Sequence, residues 1–211
     1  MESRQSVAVL VAHPDDETLW AGGTLLSSPT WSRFVCTASR ASDADRAPRF
    51  YDALARLQAG GTMGDLDDGP EQLPLADELL EQSLLACLPQ RQFDRILTHS
   101  PLGEYTRHRR HEEVARAVLR LWSRGSLSAP ELWLFAYEDD AGKRLPRAIA
   151  SADVSYELSP EVWQQKYSLV TSCYGFAAQS WEARVTPRTE AFFRVTTAEQ
   201  AASWLEKKRS Q

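Results

Sequence analysis

Cysteine is scarce and badly placed for any shared task. The 211 residues hold three, Cys36, Cys87 and Cys173, an odd number without a C-x-x-C pair. That composition speaks against a disulfide framework or a zinc–cysteine site and leaves reduced, buried thiols, as expected in a cytoplasmic protein. No apolar run approaches the roughly 18 residues of a membrane-spanning helix, so no stable membrane insertion is expected. The polar start MESRQS leads straight into a strand and carries no signal-peptide pattern. Excess positive charge is lacking too. Lys and Arg number 24 against 29 acidic residues, a formal charge of -5, which gives no case for nucleic acid or anionic membrane as main partner. Neither G-x-G-x-x-G nor a P-loop follows the first strand, which argues against a nucleotide-binding protein. There is no internal repeat, low-complexity tract or linker, so residues 1–211 are expected to form a single domain.

What is present is an ordinary globular composition, 43% hydrophobic and 25% charged, in a chain long enough to bury a sizeable core. Continuous apolar runs at 7–12, 34–38, 95–100 and 132–137 read as strands buried on both faces. Between them, 47–59, 74–88 and 110–125 show apolar residues at three- and four-residue spacing, the period of helices, with Gly125 as a stop. Strand alternating with helix predicts a Rossmann-like α/β fold, a mostly parallel sheet with helices on both faces. After Ala141 the pattern is less regular. A helix over 159–172 with Ser159 as N-cap, a strand over 190–196 and a closing helix from Thr197 with a basic end are expected there.

The first strand runs into "AHPDDETLWAGGTL", one histidine and three acidic residues followed by a glycine pair. In an open parallel sheet ligands bind outside the carboxyl ends of the strands. His13 and Asp16 are three apart and can reach one point across a tight turn stiffened by Pro14. Asp15 between them points elsewhere, toward something bound at that point. Gly22 and Gly23 would let the helix pack close to the sheet. Acidic residues at a helix start also complement its dipole, so this stretch alone fits capping as well as a metal site.

A second stretch, "THSPLGEYTRHRRHEEV", also follows a strand and opens a helix, and holds three of the four histidines. His108 and His111 share one side of a helical turn. A catalytic zinc typically takes three nitrogen or oxygen ligands and keeps a position for water. His13, Asp16 and one histidine of HRRH (108–111) supply that set. Iron(II) would accept the same two-histidine, one-carboxylate donors.

The paired motifs resemble the PIG-L/LmbE-like zinc deacetylase family, whose members remove acetyl groups from N-acetylglucosamine linked to inositol, phosphatidylinositol or malate. "DADRAPRFYDALARL" and "DLDDGP" resemble the family's intervening helix and the loop after its next strand, so the likeness spans residues 7–125. It implies His13, Asp16 and His111 as ligands of Zn2+, Asp15 as general base, and His108 as the imidazole that steadies the oxyanion or protonates the leaving amine. Arg46 matches a substrate-contacting arginine and Asp68 an acidic substrate residue. The implied activity is hydrolysis of the acetamide of an N-acetylglucosamine-type amino sugar or glycoconjugate. Many relatives carry Pro-Asp between the two histidines, where this chain has Arg109–Arg110, which changes the charge around His108.

Other residues take plainer readings. Glu17 is a helix-start residue or supports a ligand or the loop. His99 is read as structural. The run RHRR (107–110) is a thin case for a basic patch, and its arginines could meet an anionic part of a substrate. Tyr105 precedes His108 by three and is placed to face the site. The aromatics Trp163, Tyr167, Tyr174, Phe176 and Trp181 could floor a sugar site or bury a contact in a homo-oligomer, although core packing is their commoner fate. The segment 171–182 is the expected specificity element. The rival readings are a zinc hydrolase of another small amide or acyl group and a non-catalytic, metal-containing sugar-binding module.

Overall fold

The computed structural model describes residues 4–105 and 108–207. Its first two-thirds alternates as expected: β1 (Ser6–Val11), α1 (Asp16–Ser27), β2 (Ser32–Thr37), α2 (Arg46–Leu57), β3 (Ala59–Met63), α3 (Asp77–Cys87), β4 (Arg95–Thr98), α4 (Arg109–Ser123) and β5 (Leu132–Phe135). These five strands are parallel in the order β3-β2-β1-β4-β5. Strand order reverses between β1 and β4, so a crevice opens at their carboxyl ends.

β1 shows why the sheet is covered twice. Val7, Val9 and Val11 enter one core with α1 and α2, while Ala8, Leu10 and Ala12 enter the other with α3 and α4, all fully buried. Successive side chains point to opposite faces, so an unbroken apolar run needs helices on both.

The final third completes the sheet differently. It runs β6 (Tyr137–Glu138), β7 (Arg147–Ala148), β8 (Val154–Glu157), α5 (Pro160–Ser168), α6 (Trp181–Val185), β9 (Thr189–Val195) and α7 (Ala198–Glu206). β9 lies antiparallel to β5 and β8 antiparallel to β9, giving seven strands, while β6 and β7 pair separately. The expected strand 132–137 therefore breaks at Ala136. Ser159 caps α5 through Val162 N at 3.3 Å, but the expected helix ends in a π-helical turn over Leu169–Cys173. The closing helix is capped by Thr197, and Lys208 and Arg209 of its basic end lie outside the described residues.

Two glycine positions are fixed by contact. A Cβ at Gly61 in β3 would stand 2.3 Å from the Leu54 side chain and 2.7 Å from the Val35 carbonyl. At Gly23 the close neighbour is Leu158, 2.4 Å from a would-be Cβ, so the glycine pair admits the β8–α5 connection onto α1. Beside it the fully buried Glu190 accepts Gly23 N–H at 2.8 Å, Thr24 N–H at 2.6 Å and Lys166 Nζ at 2.7 Å, anchoring α1 from the C-terminal third. The three cysteines are free. Cys36 and Cys87 are distant in sequence, and the Cys36 thiol lowers Cys87 to about 7 against its burial. Among the described residues no helix is long and apolar enough to cross a membrane.

Candidate metal centre

The turn after β1 is strained at Asp15, whose φ of 114° lies in the left-handed region. Its amide is held by Glu17 Oε2 at 3.1 Å, and its carbonyl accepts the first helical N–H groups, from Thr18 and Leu19. Its side chain makes no cap bond; Oδ2 pairs instead with Arg46 Nη1 at 3.1 Å. Capping therefore does not account for Asp15. Glu17 is fully buried and also accepts Thr18 Oγ1 and Tyr174 OH, each at 2.6 Å.

Three donor atoms meet where the crevice opens. His13 Nδ1 lies 3.1 Å from Asp16 Oδ2 and 3.2 Å from His111 Nε2, and His111 Nε2 lies 3.4 Å from Asp16 Oδ2. Donors about 2.1 Å from a tetrahedral ion stand about 3.4 Å apart, so the triangle fits a single zinc-sized cation. Two imidazole nitrogens and a carboxylate oxygen turned on one point are also the donor chemistry such an ion takes.

Each donor is aimed by a second contact. His111 donates Nδ1–H to Glu104 Oε2 at 2.7 Å, which leaves its Nε2 lone pair for the centre. His13 donates Nε2–H to Asp68 Oδ1 at 3.0 Å, which frees Nδ1 in the same way. Asp16 gives Oδ1 to the Trp20 indole at 3.2 Å and keeps Oδ2 inward, where it also accepts His13 N–H at 2.9 Å.

Wider donor groupings also exist: His13, His108 and His111, and Asp16, His99 and His111, offer atoms within 4.8 Å of one another. His99 drops out because its Nε2 accepts Ala12 N–H at 3.0 Å while Nδ1 donates to Glu104 at 3.1 Å. It is a fully buried brace stacked on His111 at 3.9 Å, and Glu104 and Asp16 raise it to about 9 against its burial. His108 stands beside the triangle, its ring centroid 4.5 Å from those of both His13 and His111.

The electrostatics follow from burial and these pairings. Burial opposes a charge on His13, but Asp16 and Asp68 overcome it and raise the group to about 10. Asp16 is held well below the carboxylate range: burial is outweighed by the facing histidines. Burial and the Asp16 charge push Asp15 upward against Arg46 and His13. Glu104 sits at about 2, its burial outweighed by His99 and His111. Burial, with His111 and His13 alongside, lowers His108 to about 3, and its Nδ1 is buried without a partner among the described residues. This shift favours the neutral imidazole of His108 over the imidazolium.

A cleft of about 240 Å³ opens over the triangle, lined by Asp15, Arg40, Arg46, Tyr105, His108 and Trp181, with His13, Asp16 and Asp68 also in its wall. The sequence-predicted residues thus come together, with shifts of position. Arg46 stacks over Phe176 at 4.6 Å besides holding Asp15. Both oxygens of Asp68 are engaged, Oδ1 by His13 and Gln72 and Oδ2 by Arg40 at 2.8 Å, so it braces His13. Arg110 is buried away from the cleft on Glu113 and Leu73 O, so it does not meet a substrate there; Arg107 lies outside the described residues. Of segment 171–182, Trp181 and Glu182 line the cleft. Of the other aromatics, Trp163 and Tyr167 stack on one another at 5.1 Å. Sequence reasoning gave no role to Glu104, Trp20 or Arg40. The available signal for Glu104 was an acidic residue in a tight turn between two histidines.

No known family profile matches the chain. A curated relative, the uncharacterized protein L374 of Acanthamoeba polyphaga mimivirus, is 19% identical over 77% of this chain and 75% of its own length. Among solved structures, the N,N'-diacetylchitobiose deacetylase of Pyrococcus horikoshii aligns at TM-score 0.68 and 14% identity, over 91% of this chain and 84% of that one. The fold is that of the LmbE/PIG-L-type deacetylases. This LmbE-like fold also serves other chemistry. GalB, the 4-carboxy-2-hydroxymuconate hydratase of Pseudomonas putida KT2440, aligns at TM-score 0.62 and 17% identity over 90% and 96% of the two chains. The zinc-inhibited form of teicoplanin deacetylase Orf2 aligns at 0.54 and 14% over 85% and 84%.

Proposed function

We propose that the protein is a metal-dependent N-deacetylase that hydrolyses the acetamide of an N-acetylglucosamine-type amino sugar or glycoconjugate. The observation that carries this reading is a carboxylate, Asp15, held beside the donor triangle of His13, Asp16 and His111 without joining it. A binding module needs the triangle but not the base. The deacetylases of shared fold support the acyl class, and the hydratase among them shows that fold alone does not choose the reaction.

Zinc or iron(II), when bound, supplies the Lewis acidity that makes a water nucleophilic near neutral pH and polarises the acetyl carbonyl. The residues do the rest. Asp15 Oδ2 is tied to Arg46, so Oδ1 takes the proton of the attacking water, and its upward-shifted carboxyl suits that task. His108, neutral, offers an N–H to the oxygen that gains charge. Since His108 carries no spare proton, the one collected by Asp15 passes to the departing nitrogen as the C–N bond breaks. Acetate and the free amine are the products. Trp181 and Tyr105, whose ring centroids lie 4.6 Å apart, form an aromatic wall suited to the apolar face of a sugar ring.

The test is metal content with and without Asp16→Ala, paired with amine release from a panel of N-acetylglucosamine derivatives by zinc- and iron-loaded protein. One metal per chain, lost in the variant, together with release from some aminosugar is the expected result. Metal without amine release would move the substrate to another amide or acyl group or favour the binding module. No bound metal would overturn the reading.

A further inference from the structure

A second cleft, of about 550 Å³, shares α6 with the cleft over the candidate metal centre. Trp181 and Glu182 at the start of α6 line the first cleft, while Ala183–Val185 and the residues up to Thr189 line the second. Its walls carry Arg147, Arg184 and Arg188 and no aspartate or glutamate.

None of these three arginines has a carboxylate partner among the described residues. Glu138, which faces Arg147 across the β6–β7 pair, is engaged by Arg144 at 2.9 Å. The Arg188 guanidinium carbon lies over the Trp163 ring, 3.7 Å from its centroid. That ring is itself fixed by its N–H on Thr186 O at 3.3 Å. Stacking orients the guanidinium plane and leaves the N–H donors at its edge unspent. Three like charges around one recess repel each other, in a chain whose net charge is -5 and which has carboxylates to spare elsewhere.

We propose that this cleft binds a phosphate monoester of a small soluble molecule. Guanidinium forks match phosphate oxygens two at a time, and three of them exceed what a single carboxylate can neutralise. The volume falls in the range of sites for small organic ligands, larger than a bare ion requires. Pro146, Ile149 and Val185 supply apolar wall for the organic part. The inference does not rest on the deacetylase reading.

The test is calorimetric titration of the full, metal-loaded chain at fixed ionic strength with inorganic phosphate, glucose 6-phosphate and acetate. Saturable binding of both phosphates is expected, the ester at least as tight as the free ion and acetate at least tenfold weaker. All three arginines are exposed, so Arg147→Gln should fold with unchanged Tm in phosphate-free buffer, and Arg184→Gln/Arg188→Gln, which loses the Trp163 contact, should fold with a Tm lower by no more than about 4 °C. Each should weaken phosphate binding tenfold or more. Binding that survives in both variants would put the anion at the metal centre and overturn the proposal. So would acetate matching phosphate, no saturable uptake, or capture only by phosphatidic acid vesicles and not by the soluble ester.

Discussion

Glu104 Oε2 accepts the Nδ1–H of His111 at 2.7 Å and so decides which nitrogen of that ring faces the centre. The same oxygen takes His99 Nδ1–H, and Oε1 takes Ser100 N–H at 3.0 Å, so the carboxylate is fully spent on aiming its neighbours. Glu104→Gln keeps the volume but must turn an amide N–H or a weaker oxygen toward His111. Metal affinity is expected to fall about 10- to 100-fold, measured by competition with a chromophoric chelator. An unchanged affinity would show that His111 does not depend on Glu104 for its tautomer.

Asp68 performs the matching task for His13, and this separates two roles that share one residue. If it aims His13, Asp68→Asn weakens metal binding about tenfold and lowers activity in proportion. If it contacts substrate instead, metal content stays and KM rises alone. The occupied oxygens favour the first outcome. Metal titration and steady-state kinetics on one preparation read both.

Tyr174 reaches the turn of the proposed base, Asp15, from the C-terminal third. Its hydroxyl donates to Glu17, and Glu17 in turn holds the amide of Asp15 in its left-handed conformation. Tyr174→Phe removes one hydrogen bond to a buried carboxylate, so the turn loses part of its brace. The expected result is a kcat about tenfold lower with metal content and KM kept. A variant with full kcat would show that the turn is held by its own backbone contacts.

How far the sequence discloses this site depends on how local each signal is. The strand–turn–helix units around His13 and His111 are local, and their spacing led to His13, Asp16 and one histidine of 108–111, of which the family resemblance singled out His111. Glu104 was not legible, because its role depends on His99 and His111 being brought to either side of it by β4 and α4. Arg110 was misleading: its charge suggested a ligand, and only the packing of α4 against the 67–73 loop shows it turned inward. The apolar pattern does not show β3, because Gly60 and Gly61 are poor strand formers, and Gly61 is needed here for the approach of Leu54. The strand expected over 190–196 is β9, but β6, β7 and β8 are two to four residues long, too short to show a period.

Proton and metal compete for His13. Asp16 and Asp68 raise it to about 10 against its burial, so the metal-free protein carries a proton there throughout the neutral range. A cation entering the triangle must displace that proton from Nδ1. Metal affinity should therefore rise about tenfold per pH unit toward 10, with one proton released per ion, read by calorimetry in buffers of different ionisation heat. Stability carries the same sign. A raised histidine contributes fully below its unfolded value of 6.5 and loses the contribution as pH climbs through 10, so the metal-free Tm should fall between pH 8 and 10. Glu104 at about 2 and His108 at about 3 act on the other side. Their contributions are present above the unfolded values and drain away as pH drops toward the folded ones, so acid also unfolds the chain. A metal-free Tm that stays level from pH 8 to 10 would mean that His13 is already neutral and that metal binds without expelling a proton.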